Sequence, residues 1–276
     1  MDQFQALRTK ISTLKHLMIP IEQLLAAGVH FGHRVNKWNP RMAPYIFGER
    51  NGVHIIDLIQ TLGYLENAYQ FLTTYKTSGT SLGKKVLFVG TKRQVAPIIQ
   101  KEAENCQANY VNHRWLGGLL TNWTTIQLCV AKLHRLDAAG GFETDPSITK
   151  KEKAILKKQY EKLKKFFGGI KNMSEIPEIV IIVGQDSEMN AVRECQKLCE
   201  TSSQRLSSQL NSGTREQSEK SNLKRSSIPL PRTITILDTN NDPSLADIFI
   251  PANDDSTKSI ELIIGKLAEA VKNRPA

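Results

Sequence analysis

Three stretches of this chain bring arginine or lysine together with histidine, tryptophan and asparagine beside glycine: HFGHRVNKWNPRM (30–42), GTKR (90–93) and NHRWLGGLLTNW (112–123). That mixture suits contact with RNA. Cations meet phosphate, planar rings and guanidinium groups stack on unpaired bases, amides bond base edges or 2′-hydroxyls, and glycine permits close approach of the backbone. Pro40 and Pro44 would stiffen the first stretch and fix its side-chain directions. Core packing competes for Trp38, Trp115 and Trp123. It is favoured for Trp123, which falls on a heptad-like stripe, whereas Trp38, flanked by Asn36, Lys37, Asn39 and Arg41, suits an exposed role.

Motifs for catalysis are incomplete. Gly90-Thr-Lys-Arg-Gln follows the strongest strand with one glycine where a dinucleotide fingerprint needs G-x-G-x-x-G. GTSLGKK (79–85) has its glycines too close for a P-loop, carries Lys85 in place of Ser or Thr, and precedes a strand. His30 and His33 form an H-x-x-H pair, but zinc needs two further ligands and no Cys or His stands at a suitable spacing. These imidazoles could equally meet RNA or hold the loop together. No G-x-S-x-G elbow occurs. Asp238, Asp242, Asp254 and Asp255 fall near strand ends, where α/β enzymes place catalysis, yet DTNNDP and PANDDS read better as turns and helix caps. No cofactor, metal or small-molecule substrate is expected.

The elements that would carry these loops alternate. VHIID (53–57) is a short strand, and residues 58–77 carry a helical pattern through Leu58, Leu62, Leu65, Tyr69 and Leu72. KKVLFVG (84–90) is a continuous apolar run, as a strand buried on both faces requires, and a helix follows to about Cys106. Further strands are predicted at 108–112, 178–183, 233–238 and 245–251, with helices at 20–28, 187–199 and 256–272. The stretch between Val29 and Gly52 reads as loop. Such alternation implies an α/β fold with a parallel sheet flanked by helices. Hydrophobic residues make up 40% of the 276, enough for a sizeable core, and the net charge of +10 favours a polyanionic partner.

Two segments interrupt the alternation. Trp123, Ile126, Val130 and Leu133, then Leu156, Tyr160, Leu163 and Phe167, form two stripes joined by a polar loop. They predict an antiparallel helical hairpin over 122–167, a coiled coil inserted into a discontinuous α/β domain (20–121 and 168–276). Its second helix is rich in lysine, which serves either a solvated face or a phosphate-contacting arm. Residues 201–232 are dominated by Ser, Gln, Asn and Lys and predict a disordered insertion, while 1–19 form an N-terminal extension. The extension lacks the apolar core of a secretory signal, no run suffices to span a bilayer, and the four cysteines form no C-x-x-C pair. A soluble chain in a reducing compartment is expected.

GVHFGHRVNKWNPRMAPYIFGERNGVHIIDL, KKVLFVGTKR, VNHRWLGGLLTNW, FGGIKNMSEIPEIVII, ILDTNNDP and IPANDD, in that order, closely resemble the bacterial-type ribosomal protein S2 family. The resemblance runs from about Ile21 to Lys272 and leaves out 201–232. It implies a Rossmann-like α/β domain with an inserted α-hairpin, seated at the head–body junction of the small ribosomal subunit. It also implies partners: small-subunit rRNA, neighbouring ribosomal proteins and the large mRNA-binding protein S1. On the matching positions it makes His33, Arg34, Lys37, Trp38, Asn39, Arg41, Lys92, Arg93, His113, Arg114, Trp115 and Asn122 the expected RNA contacts, with no catalytic residue. The Ser-rich insertion departs from the short turn usual in the family. With the N-terminal extension and the Lys, Ser and Ile bias it is most similar to plastid-encoded versions of green algae, which implies the chloroplast stroma, with a bacterial cytoplasm as the alternative. The rival readings are an α/β sugar-phosphate or nucleotide-binding enzyme, motivated by fold alone, and a coiled-coil adaptor.

Overall fold

The computed structural model describes residues 19–75, 85–138, 149–211 and 231–273. In chain order its elements are α1 (Ile21–Ala27), β1 (Phe31–Arg34), β2 (Ile46–Arg50), β3 (Val53–Ile56), α2 (Leu58–Thr74), β4 (Val86–Val89), α3 (Ala96–Asn105), β5 (Asn109–Val111), α4 (Trp123–Ala138), α5 (Lys150–Phe167), β6 (Ile179–Val183), α6 (Met189–Asn211), β7 (Arg232–Leu237), β8 (Ile248–Pro251) and α7 (Thr257–Lys272).

Five of these strands form a wholly parallel sheet in the order β5-β4-β6-β7-β8. Every residue of VLFV and IVIIV is buried, because alternate side chains enter opposite faces and both faces are covered. Val86, Phe88, Ile179 and Ile181 join the core layer beneath α2, α3 and α7, which includes Leu65, Ile99 and Ile263. Leu87, Val89, Val180 and Ile182 join the opposite layer, which includes Trp115, Leu119, Ile126, Phe167 and Val192 from the 112–122 loop, α4, α5 and α6. The fold is therefore α/β, with a Rossmann-like parallel sheet between two helical layers.

The predicted loop at 29–52 differs. It contains β1 and β2, which pair antiparallel on either side of β3 in a second, three-stranded sheet. Both pairings shift register, and the density of Gly, Pro and Asn disguises the short strands. A local signal was present nonetheless. Arg50 pairs with Val53, so Asn51-Gly52 is a two-residue hairpin turn, and its φ values of 54° and 74° are the left-handed pair such a turn requires.

α4 and α5 pack on one another, with Ile126, Val130 and Leu133 buried against the sheet layer together with Phe167. α5 opens on a reciprocal cap in which Thr149 and Glu152 each accept from the other's backbone N–H. After it, Gly168–Ile170 turns against β5. α6 runs on to Asn211, beyond the predicted end at 199. The rest of the predicted insertion up to residue 230, the N-terminal extension to residue 18 and the polar loop at 139–148 lie outside the described residues. Among the described residues no helix is long and apolar enough to cross a membrane.

Candidate nucleic-acid interface

All five parallel strands end on one edge, which gathers the loops after β4 (90–93), β5 (112–122), β6 (184–188), β7 (238–242) and β8 (252–256). The strand order reverses between β4 and β6, the place where open α/β sheets seat ligands. Here the chain's own side chains fill that crevice. Glu188, 1% exposed, accepts from the Thr91 N–H at 2.9 Å and from the Thr91 hydroxyl; burial raises its pKa, against the pull of those bonds. The Lys92 ammonium lies 2.9 Å from Asp254 Oδ1 and 2.8 Å from Asp255 Oδ1. Burial works to lower the Lys92 pKa, but the two carboxylates outweigh it and hold the value above the ordinary one. A Cβ at Gly184 would stand 2.9 Å from Lys92 Cε, so glycine leaves room for this pair.

The first basic loop is clamped onto the same edge. The His33 N–H donates to Thr239 Oγ1 at 2.9 Å, and the Asn39 N–H to the Thr239 carbonyl at 2.8 Å. Gly32 permits the approach: a Cβ there would fall 2.6 Å from Thr239 Cγ2. The His33 ring spans two acids, with Nδ1 2.9 Å from Asp238 Oδ2 and Nε2 3.5 Å from Asp255 Oδ2. The hydrogen bond to Asp238 raises its pKa against the opposing effect of burial. Arg41 Nη1 reaches Asp242 at 2.5 Å and Ser244 at 2.7 Å, and Asn39 accepts from the Arg41 N–H at 3.0 Å.

The donor atoms of His33, Asp238 and Asp254 lie within 4.8 Å of one another, a nitrogen-and-oxygen set that suits a divalent cation. In this arrangement the Lys92 ammonium supplies the positive charge beside Asp254. The sequence pairing of His33 with His30 is not what the structure brings together; His30 packs against the Phe31 ring at 4.0 Å. As capping residues, Asp242 and Asn253 accept from the backbone N–H groups of Ser244 and of Asp255 and Ser256. Asp238, Asp254 and Asp255 instead serve as ionic braces.

The expected contact residues thus divide. Arg34, Lys37, Arg93, His113 and Arg114 are exposed, and among the described residues their side chains have no hydrogen-bond or ion-pair partner. Trp38 is 38% exposed, its ring 5.3 Å from that of His54. Asn122 is exposed and accepts from the Thr125 hydroxyl at 2.9 Å. His33, Asn39, Arg41 and Lys92 are engaged in bracing the loops. Trp115 is buried, with its indole N–H donating to Glu194 Oε1 at 3.0 Å.

Glu194, on α6, went unnoticed in the sequence. Its carboxylate also accepts from the N–H groups of Gly118 at 2.7 Å, Leu120 at 3.0 Å and Thr121 at 3.3 Å, and so fixes the third basic loop.

The Lys92 pair yields a prediction. Lys92→Ala leaves the buried Asp254 carboxylate without its cation and is expected to cost about 2 kcal/mol at pH 7. The Asp254 pKa is already raised by burial. A raised carboxyl penalises the folded state only as pH climbs above its unfolded value, so the deficit should shrink towards pH 4. Denaturant midpoints of both proteins across that window measure it, and a deficit constant with pH would contradict the assignment.

A family model described as ribosomal protein S2 matches residues 24–200 and 217–273 of the chain. Among curated proteins, a small ribosomal subunit protein uS2 of Picosynechococcus is 47% identical over 257 residues, covering 92% of this chain and 86% of its own. The uS2c protein of Cyanophora paradoxa is 48% identical, with 92% and 94% covered, and that of Oltmannsiellopsis viridis is 45% identical, with 93% of each covered.

Proposed function

The chain belongs to the ribosomal protein S2 family, and from that premise we propose that it is a non-catalytic constituent of the small ribosomal subunit. It binds rRNA and neighbouring ribosomal proteins in support of translation. The observation that carries this reading is the carboxyl edge of the sheet. Where an enzyme of this architecture would hold substrate, acids and cations of the chain are paired with one another, and Arg34, Lys37, Arg93, His113 and Arg114, unpaired among the described residues, stand outside them. Exposed cations on a braced edge meet phosphate, while Trp38 and Asn122 add a stacking face and an amide. His33, Asn39, Arg41, Lys92 and Trp115 complete the proposed contact region by holding its loops in place.

The domain plan proposed with this function keeps α4 and α5 as a helical unit inserted between the two parts of the α/β domain. Service in the chloroplast stroma is supported by the uS2c relatives, with a bacterial cytoplasm as the alternative supported by Picosynechococcus. Contact with ribosomal protein S1 belongs to the same proposal, on the strength of the family resemblance.

Sucrose-gradient sedimentation of a native extract in high magnesium tests the main claim. The chain should travel with the small subunit through moderate salt; recovery at the top of the gradient would refute it. In binding to isolated small-subunit rRNA, log affinity should fall linearly with log salt, and Lys37→Ala should reduce that slope by about one. An unchanged slope removes Lys37 from the contact set.

A further inference from the structure

Away from the carboxyl-edge crevice, a cleft of about 610 Å³ opens between the end of α5 and the β5 edge of the sheet. One wall carries Asn112 and His113, just beyond β5, with Gln100 of α3; the other carries Lys164 and Lys165 of α5. The volume falls in the range of sites that hold small organic ligands.

The charges on the walls are unevenly used. Lys171 is paired with Asp137, which also accepts from the Tyr160 hydroxyl at 2.6 Å. Those bonds neutralise the acid at the back of the cleft and hold its carboxyl below the ordinary carboxylate range. Lys164 stands over the Tyr160 ring at 5.6 Å, which directs its ammonium without consuming it. Lys165 and His113 are exposed, and among the described residues they have no hydrogen-bond or ion-pair partner. The Lys164 and Lys165 ammonium groups therefore outnumber the other acid of the lining, Glu161, while Glu104, beside the lining, accepts from Gln100 Nε2 and from the Tyr110 hydroxyl, both at 3.0 Å.

The other wall offers a different chemistry. Asn112 Nδ2 donates to Gln100 Oε1 at 3.1 Å, so the two amides lie side by side. Gln100 Nε2 in turn donates to Glu104 Oε1 at 3.0 Å, which leaves the Asn112 amide oxygen and one N–H on each amide. Adjacent acceptor and donor groups match a base edge or a ribose 2′-hydroxyl. Ammonium groups on the facing wall match a phosphate.

We propose that the cleft between α5 and the β5 edge seats one unpaired nucleotide of an RNA strand, its phosphate between Lys164, Lys165 and His113 and its base edge or 2′-hydroxyl against the Asn112–Gln100 amide pair. This rests on the RNA-binding reading above and gives it a location separate from the loops at 30–42. The cleft selects single-stranded RNA, because a base held in a duplex cannot enter it.

The test uses the full chain and two probes: isolated small-subunit rRNA and an unstructured mixed-sequence RNA tetranucleotide. Lys165→Ala combined with His113→Ala should weaken tetranucleotide binding about tenfold, and Gln100→Ala several-fold. Lys258→Ala, at the exposed start of α7, should leave it unchanged, and a DNA tetranucleotide of the same sequence should bind more weakly than the RNA. All the substituted side chains are exposed, so unchanged thermal melting is expected and is checked for each variant. Tetranucleotide binding at the wild-type level in the cleft variants, or equal binding of DNA, would overturn the nucleotide site while leaving the rRNA result standing. If wild-type protein fails to bind rRNA as well, the ribosomal reading itself falls.

Discussion

Replacing Glu194 with alanine is expected to lower stability by about 4 kcal/mol and to free the loop at 112–121. One carboxylate there receives the Trp115 indole N–H and the backbone N–H groups of Gly118, Leu120 and Thr121. Hydrogen bonds to a charged acceptor contribute roughly 1.5–3 kcal/mol each, but the exposed part of the loop can recover water, so the sum is discounted. The side chain of Trp115 is 6% exposed and cannot rehydrate without leaving the core. Glu194→Gln should recover only part of the loss. Its amide keeps one oxygen and turns an NH2 towards backbone donors, where a second acceptor is needed. Hydrogen exchange at Gly118, Leu120 and Thr121 separates loop release from a general loss of stability. Slow exchange at these amides in Glu194→Ala would show that some other contact holds the loop. Because His113 and Arg114 directly precede Trp115, the same variant should also weaken rRNA binding, although Glu194 itself faces inward.

Why Glu194 escaped notice is a matter of distance along the chain. The parallel sheet was legible because a strand buried on both faces must be apolar at every position, and KKVLFVG and EIVIIV announce that locally. The basic loops were legible because their composition is local too. A brace is not. Glu194 is 79 residues from Trp115, Lys92 is 163 from Asp255, and His33 is 206 from Thr239. Nothing near either member of such a pair marks it, and the acids after β7 and β8 look like ordinary turn residues. Composition also fails to say which cation faces outward. Lys92 and Arg93 are adjacent in the same basic motif, yet one is folded against Asp254 and the other is exposed. The hairpin between β2 and β3 is a different kind of miss. Its Asn-Gly turn was local and specific, but the surrounding glycine and proline outweighed it.

A second large effect is expected at Gly169, and its neighbour provides the control. A Cβ on Gly169 would lie 2.2 Å from the Tyr110 carbonyl oxygen and 2.6 Å from Tyr110 Cδ2. That carbonyl belongs to β5, which is fixed in register against β4 through the Phe88–Tyr110 pair. Neither partner can yield cheaply, so in Gly169→Ala the turn at 168–170 must lift away from the sheet. It would draw the buried Ile170 and Met173 with it. The expected cost is about 3 kcal/mol, at the upper end of what overpacking usually costs. Gly168 has nothing within 4 Å of the same added carbon, and its φ of −55° and ψ of −44° are helical. Gly168→Ala should therefore be neutral or stabilise the protein by about 0.5 kcal/mol, through reduced freedom of the unfolded chain. Urea denaturation of the two variants side by side reads the difference, and equal midpoints would mean that the turn does not pack on β5. The displacement has a functional consequence as well. Lys164 and Lys165 stand just before the turn, and Asn112 and His113 just beyond Tyr110, so separating the turn from β5 pulls apart the two walls of the proposed nucleotide cleft. Gly169→Ala should consequently lose tetranucleotide binding under conditions where it is still folded, while Gly168→Ala retains it. That outcome would tie the cleft to the seating of α5 on the sheet.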